Sequence, residues 1–291
     1  MNILITGCSG FVGSYLTKAL HKLGHTIIGI DINDLGPTCD SKSVDIFFKH
    51  DLTKPFYNYI GNIDLCIHLA SSVGGILFNV DKPNIVVYNK IVNENVLNLC
   101  VRARCDRLLF FSSINVFEDR CQFSHEPLYK LTPYAESKVE GERLFESACE
   151  NLMVIRPTNI FGKNQNRHGG FGESHVIPDL LKKIDESDIL EVWGDGKQMR
   201  NFVHVVDLCN FILEGLNFNG KLYFNIRSDL TISITSLANS LMEFKGKALP
   251  IVYKKEYLQH ERMKLVDFDM SLPIAFGWKQ SIRSIGEGLL I

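Results

Sequence analysis

No apolar run in this 291-residue chain is long enough to cross a bilayer, which takes about 20 predominantly apolar residues in a helix. A membrane-spanning protein is therefore not expected. The N-terminus, Met1-Asn2-Ile3-Leu4-Ile5-Thr6-Gly7, carries no basic segment ahead of its apolar residues and meets a glycine too early for a secretory leader. Eight cysteines are present, yet no two form a Cys-x-x-Cys pair, and several lie inside apolar runs. That spacing argues against a zinc site or a disulfide framework and for free thiols in a reducing cytosol. No metal is expected, and the location read from these features is cytoplasmic. An excess of either charge is also missing: 31 Lys and Arg face 33 Asp and Glu, for a net charge of −2. Nucleic-acid binding draws on clustered positive charge, so no nucleic-acid partner is expected. A small anionic ligand needs only a few local cations and stays compatible. Internal repeats and low-complexity segments are absent as well.

What is there is core-forming material. Hydrophobic residues make up 45% of the chain, which excludes wholesale disorder. Short apolar runs at Ile3–Thr6, Ile27–Asp31, Val44–Phe48, Leu65–Leu69, Leu108–Ser112 and Leu152–Arg156 show little alternation. They read as strands covered on both faces, as in a parallel sheet. Amphipathic stretches at Ser14–Leu23, Ile85–Ala103 and Ala135–Ala148 lie between them. Strand–helix alternation of this kind implies right-handed crossovers and a Rossmann-like doubly wound α/β sheet. After Pro157 the rhythm changes. Gly162–Gly172 reads as a loop, His175–Lys183, Asp207–Gly215 and Ser233–Phe244 as helices, and Asp188–Trp193 and Tyr223–Ile226 as short strands. The expected division is a dinucleotide-binding domain over 1–156, which also receives segments around 200–226, and a smaller mixed α/β substrate region over 157–291.

Gly7-Cys8-Ser9-Gly10-Phe11-Val12-Gly13 sits between the first strand and the first helix. Glycines there let the backbone turn sharply and approach a pyrophosphate, whose charge the helix N-terminus favours. The GxxGxxG spacing differs from the GxGxxG of many dehydrogenases; its strand–turn–helix context carries the reading. Asp31 ends the second strand, where a carboxylate can accept from the adenosine ribose hydroxyls and would repel a 2′-phosphate. No Arg or Lys lies in Gly29–Gly36, so the cofactor, NAD(H) or NADP(H), leans toward NAD(H). Asp51, after the third strand, is a candidate for the adenine edge.

Tyr134 and Lys138 stand four apart, on one face of a helix. Tyrosine titrates near ~10, too high for efficient acid–base work at neutral pH. A neighbouring ammonium lowers that value, and the same lysine can hold the nicotinamide ribose. With Ser113 of the Ser112-Ser113 pair, they make a Ser–Tyr–Lys set suited to hydride transfer at a carbinol or ketone: tyrosine moves the hydroxyl proton and serine orients the oxygen.

These pieces resemble the extended short-chain dehydrogenase/reductases that act on nucleotide sugars, the NAD-dependent epimerase/dehydratase family. The matching segments also include Asp51-Leu52, His68-Leu69-Ala70, Arg156-Pro157-Thr158-Asn159-Ile160-Phe161-Gly162, Gly194-Asp195-Gly196 and Arg200-Asn201-Phe202-Val203-His204-Val205, followed by Asp207-Leu208. The resemblance runs from residue 3 to about 280. It implies a Rossmann domain with a C-terminal sugar-nucleotide domain, and cofactor contacts from Ser9, Phe11, Val12, Leu52, Leu69, Ala70, Ser71, Pro157 and Ile160.

Two stretches narrow the resemblance toward the GDP-fucose synthase branch: Ser72-Val73-Gly74-Gly75-Ile76, and Ser174-His175-Val176-Ile177-Pro178 before Lys182 and Lys183. The branch implies that Arg200 and Lys264 pair with the substrate diphosphate and that Trp193 packs near the nucleotide. Gly75 and Asn159 would shape the sugar pocket. The branch epimerises a 4-keto-6-deoxysugar with a cysteine and a histidine before reducing it. His175 matches the histidine, but Asn115 stands where the cysteine belongs, and an amide carries no proton of useful pKa. The expected activity is reduction of the C4 ketone of a dTDP- or GDP-linked 4-keto-6-deoxyhexose, with little or no epimerisation. The product would be a 6-deoxyhexose donor for surface polysaccharide such as lipopolysaccharide O-antigen. An epimerase-reductase and a 4-epimerase are the alternatives. A homodimer through the helices near Ile85–Ala103 and Ala135–Ala148 is implied by the family alone.

Overall fold

The computed structural model describes residues 1–36, 39, 41–75, 84–120, 131–165, 174–256 and 268–291, with 118–120 as backbone only. Alternating strands and helices run through the first half. These are β1 (Asn2–Thr6), α1 (Phe11–Lys22), β2 (Thr26–Asp31), β3 (Ile46–Lys49), β4 (Leu65–His68), α2 (Asn84–Arg102), β5 (Arg107–Phe111), α3 (Pro133–Ala148) and β6 (Leu152–Pro157). The second half contains β7 (Asn159–Phe161), α4 (Val176–Glu186), β8 (Leu190–Trp193), β9 (Met199–His204), α5 (Val205–Glu214), β10 (Lys221–Ile226), β11 (Thr231–Ser233), α6 (Ile234–Phe244), β12 (Ile251–Lys254), α7 (Ser271–Ala275) and α8 (Ile285–Leu290).

Seven strands form the main sheet in the order β10-β6-β5-β4-β1-β2-β3, and every neighbouring pair is parallel. The unalternating apolar runs are explained by what covers them. Ile3, Ile5, Leu65, Ile67, Leu109, Phe111, Met153 and Ile155 face one core, shared with Leu16 and Leu20 of α1 and Phe211 of α5. Their neighbours Leu4, Cys66, Leu108, Phe110, Leu152 and Val154 face the opposite core with Val92, Val96 and Leu99 of α2 and Phe145 of α3. Both faces are dry, so polar residues have no place in the middle of these strands. The sheet is Rossmann-like and doubly wound. Its strand order reverses at β1, with β2 on one side and β4 on the other, and this is where such sheets open a crevice beyond their carboxyl ends.

A smaller layer lies beyond that crevice. β9 pairs in parallel with β7 and antiparallel with β11, while β8 pairs in parallel with β12. Ile177, Leu180 and Ile184 of α4, Leu237 and Leu241 of α6, and Ile285 of α8 close a third core over them. Between these pieces the chain returns to the main sheet, where β10 extends the edge beside β6.

Two differences from the sequence reading have local causes. Ladder pairing in the third strand starts at Ile46 instead of Val44, because the Asp45 carboxylate takes the Ile27 amide at 2.7 Å. Strands β7, β9, β11 and β12 were not expected: β7, β11 and β12 are three to four residues long, and in β9 Arg200 and Asn201 break the apolar character. The expected loop at Gly162–Gly172 falls partly outside the described residues, from 166 to 173. The described cysteines Cys8, Cys39, Cys66, Cys100, Cys105, Cys149 and Cys209 are free thiols. Among the described residues no helix is long and apolar enough to cross a membrane, and no group of His, Cys, Asp and Glu could hold a metal ion.

Candidate active site

A cleft of about 750 Å³ follows the carboxyl ends of the main strands and passes under the second layer. Its first wall is the glycine loop. Gly7 has φ +73°, and a Cβ there would lie 2.8 Å from the Ala70 amide nitrogen. A Cβ at Gly13 would overlap the Gly7 carbonyl oxygen, whereas one at Gly10 would sit 3.1 Å from the same atom. Gly7 and Gly13 are thus demanded by the loop's own packing, and Gly10 far less so. The amide of Ser14 bonds Gly10, and the helix start faces the cleft as a ready site for an anion. Phe11, Val12, Leu52, Leu69, Ala70 and Ser71 line the same end. Ser9 does not: its amide donates to Asp31 at 2.9 Å, and its hydroxyl is buried without a hydrogen-bond partner.

Asp31 lines the cleft and is buried, accepting also from the Asn33 amide at 2.9 Å. Burial raises its carboxyl above the ordinary range, with the two amides pulling the other way. Asp51 lines the cleft too, and folds its turn by accepting from the amide and hydroxyl of Thr53. The residues fit a dinucleotide: two glycines leave room for a close backbone approach, the helix N-terminus suits a pyrophosphate, and a carboxylate waits at the end of β2.

Ser113, Asn115, Tyr134 and Lys138 line the middle of the cleft. Helix α3 presents the last two because Thr132 caps it, accepting from the Ala135 amide at 3.2 Å, with Pro133 in its first turn. Asn89 of α2 braces the opposite side. It accepts from the Ser72 amide at 2.7 Å and donates to the Ser137 hydroxyl at 3.0 Å, so the Ser72 loop and α3 are tied together. Tyr134 and Lys138 are both buried, and the Lys138 ammonium lies 5.7 Å from the centre of the Tyr134 ring. Lys138 Nζ donates to the Phe111 carbonyl at 2.8 Å. Burial pulls its pKa from 10.5 down to about 8, against the opposing pull of Glu142. Below His68 the structure is a polar support: its ring nitrogens meet Thr6 Oγ1 at 2.7 Å and Asn93 Oδ1 at 2.9 Å. Burial keeps His68 neutral, with a pKa near 4.

The second layer lines the far end with Pro157, Asn159, Ile160, His175, Trp193 and Arg200; Gly75 faces in from the first domain's side. Asn159 donates to the Asn201 carbonyl at 2.9 Å, and Asn201 in turn binds Thr158, Ser228 and Thr231. Lys183 lies 5.4 Å from the centre of the Trp193 ring and pairs with Asp179 at 3.3 Å, and all three line the cleft. Lys182, by contrast, pairs with Glu186 on the surface. Lys264 lies outside the described residues.

Sequence reasoning named Ser112 and Arg156 but missed Glu142, which joins them. Ser112, the partner of Ser113 in the pair, also lines the cleft and donates to Glu142 Oε1. Arg156 closes on that carboxylate with two bonds, Nε to Oε1 at 2.9 Å and Nη2 to Oε2 at 2.6 Å. Glu142 stands four residues after Lys138 on α3, and that spacing was the available signal. Asn89 and Asp179 were missed as well: Asn89 acts on Ser72 and Ser137, both distant in sequence, whereas the i,i+4 spacing of Asp179 and Lys183 was an available signal.

Comparisons with known proteins show which family and fold the chain resembles. Residues 3–226 match the model of the NAD dependent epimerase/dehydratase family. A dTDP-4-dehydro-6-deoxy-D-allose reductase of Streptomyces sp is 26% identical over 316 residues, covering 97% of this chain and 95% of that one. A GDP-L-fucose synthase of Escherichia coli (strain K12) is 26% identical over 318 residues, covering 99% and 94%. Among solved structures, MoeE5 in complex with UDP-glucuronic acid and NAD superposes with a TM-score of 0.81 at 22% identity, over 100% of this chain and 97% of that one.

Proposed function

The chain belongs to the NAD dependent epimerase/dehydratase family, and from that premise we propose that it reduces the C4 ketone of a nucleotide-linked 4-keto-6-deoxyhexose. The dTDP- and GDP-linked sugars are the substrates considered, with NADH favoured over NADPH. The observation that carries the reading is the composition of the cleft's centre: Ser113, Tyr134 and Lys138 face it together with Asn115. The first three supply a carbonyl hydrogen bond, a proton and a buried cation. Asn115 supplies no group able to take a proton from the sugar carbon.

The cofactor, when bound, supplies a hydride to C4. Gly7, Gly10 and Gly13 with the start of α1 hold its pyrophosphate, and Asp31 accepts from the adenosine ribose. Ser113 donates to the ketone oxygen and fixes the carbonyl's orientation. Tyr134 gives its hydroxyl proton to that oxygen as it gains charge, and the resulting phenolate is stabilised by Lys138 until water restores its proton. Pro157 and Ile160 wall the nicotinamide end. Arg200, with Lys264, provides charge for the sugar's diphosphate, and Trp193 a flat surface near the nucleotide. His175 and Asn159 bond the sugar. Family analogy favours a homodimer through α2 and α3, and Val87 and Ile91 of α2 are exposed apolar residues there.

The related enzymes named above include both a reductase and a synthase. His175 on the cleft wall favours residual proton exchange at the sugar as the second reading. The experiment offers NADH or NADPH with dTDP-, GDP- and CDP-linked 4-keto-6-deoxyhexoses in deuterated water and follows cofactor oxidation. Turnover without deuterium at C3 or C5 is expected. Deuterium at either carbon moves the protein to the epimerase-reductase class, and no oxidation with any ketosugar defeats the reductase reading.

A further inference from the structure

We infer that Asn89 of α2 is a positioning residue that sets the Ser72–Gly75 loop of the sugar pocket against the turn of α3 bearing Tyr134. The inference rests on the reading above, in which Tyr134 gives a proton to a sugar held beside that loop. Ser72, Val73, Gly74 and Gly75 all line the cleft, whereas Asn89 stands behind them and is 2% exposed. The loop has little to anchor itself with: Gly74 and Gly75 carry no side chains, and Val73 is exposed. Asn89 holds its backbone directly. Asn89 Oδ1 accepts from the Ser72 amide at 2.7 Å, and Nδ2 donates to the Ser72 carbonyl at 3.1 Å. Those two backbone groups admit one orientation of the side-chain amide.

The second hydrogen of Nδ2 goes to α3. It is donated to the Ser137 hydroxyl at 3.0 Å, and that hydroxyl donates in turn to the Tyr134 carbonyl at 2.7 Å. Hydrogen bonds thus run without a break from the backbone of the loop, through one asparagine and one serine, to the backbone of the residue that carries the acid. Asn89 and Ser137 are both buried, so a shift of either leaves a donor or an acceptor unpaired away from water, which resists the shift. The platform under Asn89 is stiff as well. One turn further along α2, Asn93 is bonded to His68, and α3 comes so close that a Cβ at Gly141 would lie 2.7 Å from Asn93 Nδ2. A sugar resting on the loop is therefore presented to Tyr134 at a fixed place, and a displacement of about 1 Å there can cost about 10²-fold in rate. Loss of the tie should be felt in the chemical step and not in cofactor affinity, because the glycine loop and Asp31 lie on other elements.

The test compares two variants of the whole protein. Asn89→Leu keeps the bulk of the side chain and removes its bonds to Ser72 and Ser137. Exchange of the Ser72 amide, read by NMR without substrate, should speed up about tenfold. With an accepted ketosugar, kcat should fall about tenfold or more, while the NADH dissociation constant stays within about twofold. Ser137→Ala cuts only the tie to α3. There Ser72 exchange should match the wild type while kcat still falls, by about threefold. A folded Asn89→Leu protein with unmoved Ser72 exchange, or with kcat within about twofold of the wild type, overturns the proposal and leaves Asn89 as packing. A loss of NADH affinity as large as the loss in kcat overturns it too, since that would mean general damage to the cleft. Should the leucine variant not fold, Ser137→Ala carries the test, and an unchanged kcat there overturns the proposal equally. Amide exchange and NADH binding need no turnover, so failure of the reductase reading shows separately, as wild-type protein that oxidises no cofactor.

Discussion

Lys138 of α3 reaches the carbonyl of Phe111, the last residue of β5, with a 2.8 Å hydrogen bond. The bond crosses from helix to sheet and sets the lysine's height relative to Tyr134, one helical turn earlier. Lys138→Met keeps the length of the side chain but leaves that carbonyl without its donor and removes the charge. Reduction should fall by about 10²–10⁴-fold, as should that of Tyr134→Phe, with the double variant little worse than either. Initial rates of cofactor oxidation measure this; additive losses would mean the two residues do not act as a unit.

The alkaline side of the rate profile follows from the same lysine. Its pKa in the folded protein is about 8, so the cation is present below that pH and is lost above it. The rate of ketone reduction should decline as pH rises through about 8, while the protein stays folded. A profile flat to pH 10, with circular dichroism unchanged, would contradict the assignment.

The glycine loop makes an internal comparison possible. Gly13→Ala drives a methyl into the Gly7 carbonyl, while Gly10→Ala meets the same oxygen at 3.1 Å. Overpacking of this kind costs about 1–3 kcal/mol. We expect Gly13→Ala to lower the melting temperature and weaken NADH binding more than tenfold, with Gly10→Ala the milder of the two in stability. Fluorescence titration and calorimetry separate them.

Cofactor preference should turn on Asp31. Replacing it with asparagine removes the charge that repels a 2′-phosphate while keeping an acceptor for the Ser9 amide. The ratio of NADH to NADPH affinity should fall by about tenfold, or about 1.4 kcal/mol, measured by isothermal titration of both cofactors. An unchanged ratio would remove Asp31 from cofactor selection.

Acid stability should depend on His68. Burial lowers its pKa from 6.5 to about 4, so the unfolded chain takes up a proton first as pH falls. The folded state therefore loses stability between pH 6.5 and 4, by up to about 3 kcal/mol from this group. Urea unfolding at pH 7 and pH 4.5 should show the loss, and His68→Gln should flatten it even if less stable overall.

Much of this was legible in order of residues. The runs at Ile3–Thr6 and Leu65–Leu69 announce strands because both their faces are buried, which removes any need for polar alternation. Gly7–Gly13 and Tyr134/Lys138 are visible because their chemistry is confined to one turn and one helix face. The strand Met199–His204 was not visible, since its polar residues are satisfied by partners far along the chain: Asn201 by Ser228 and Thr231, His204 by Gly288. The bond from Ser112 to Glu142 was equally hidden, because its partner stands on a helix 30 residues further along the chain.

The sequence by itself determined the doubly wound sheet, the place of the glycine loop and the pairing of Tyr134 with Lys138, because each is carried by a run or a spacing of a few residues. Only the tertiary structure decided what surrounds that pair. Glu142 meets Arg156 across fourteen residues and Phe117 and Tyr223 close on Arg156 from two further elements. Contacts of that kind arise when α3 packs on the sheet and carry no local pattern. The low pKa of Lys138 belongs to the burial created at that moment, and to no short stretch of the chain.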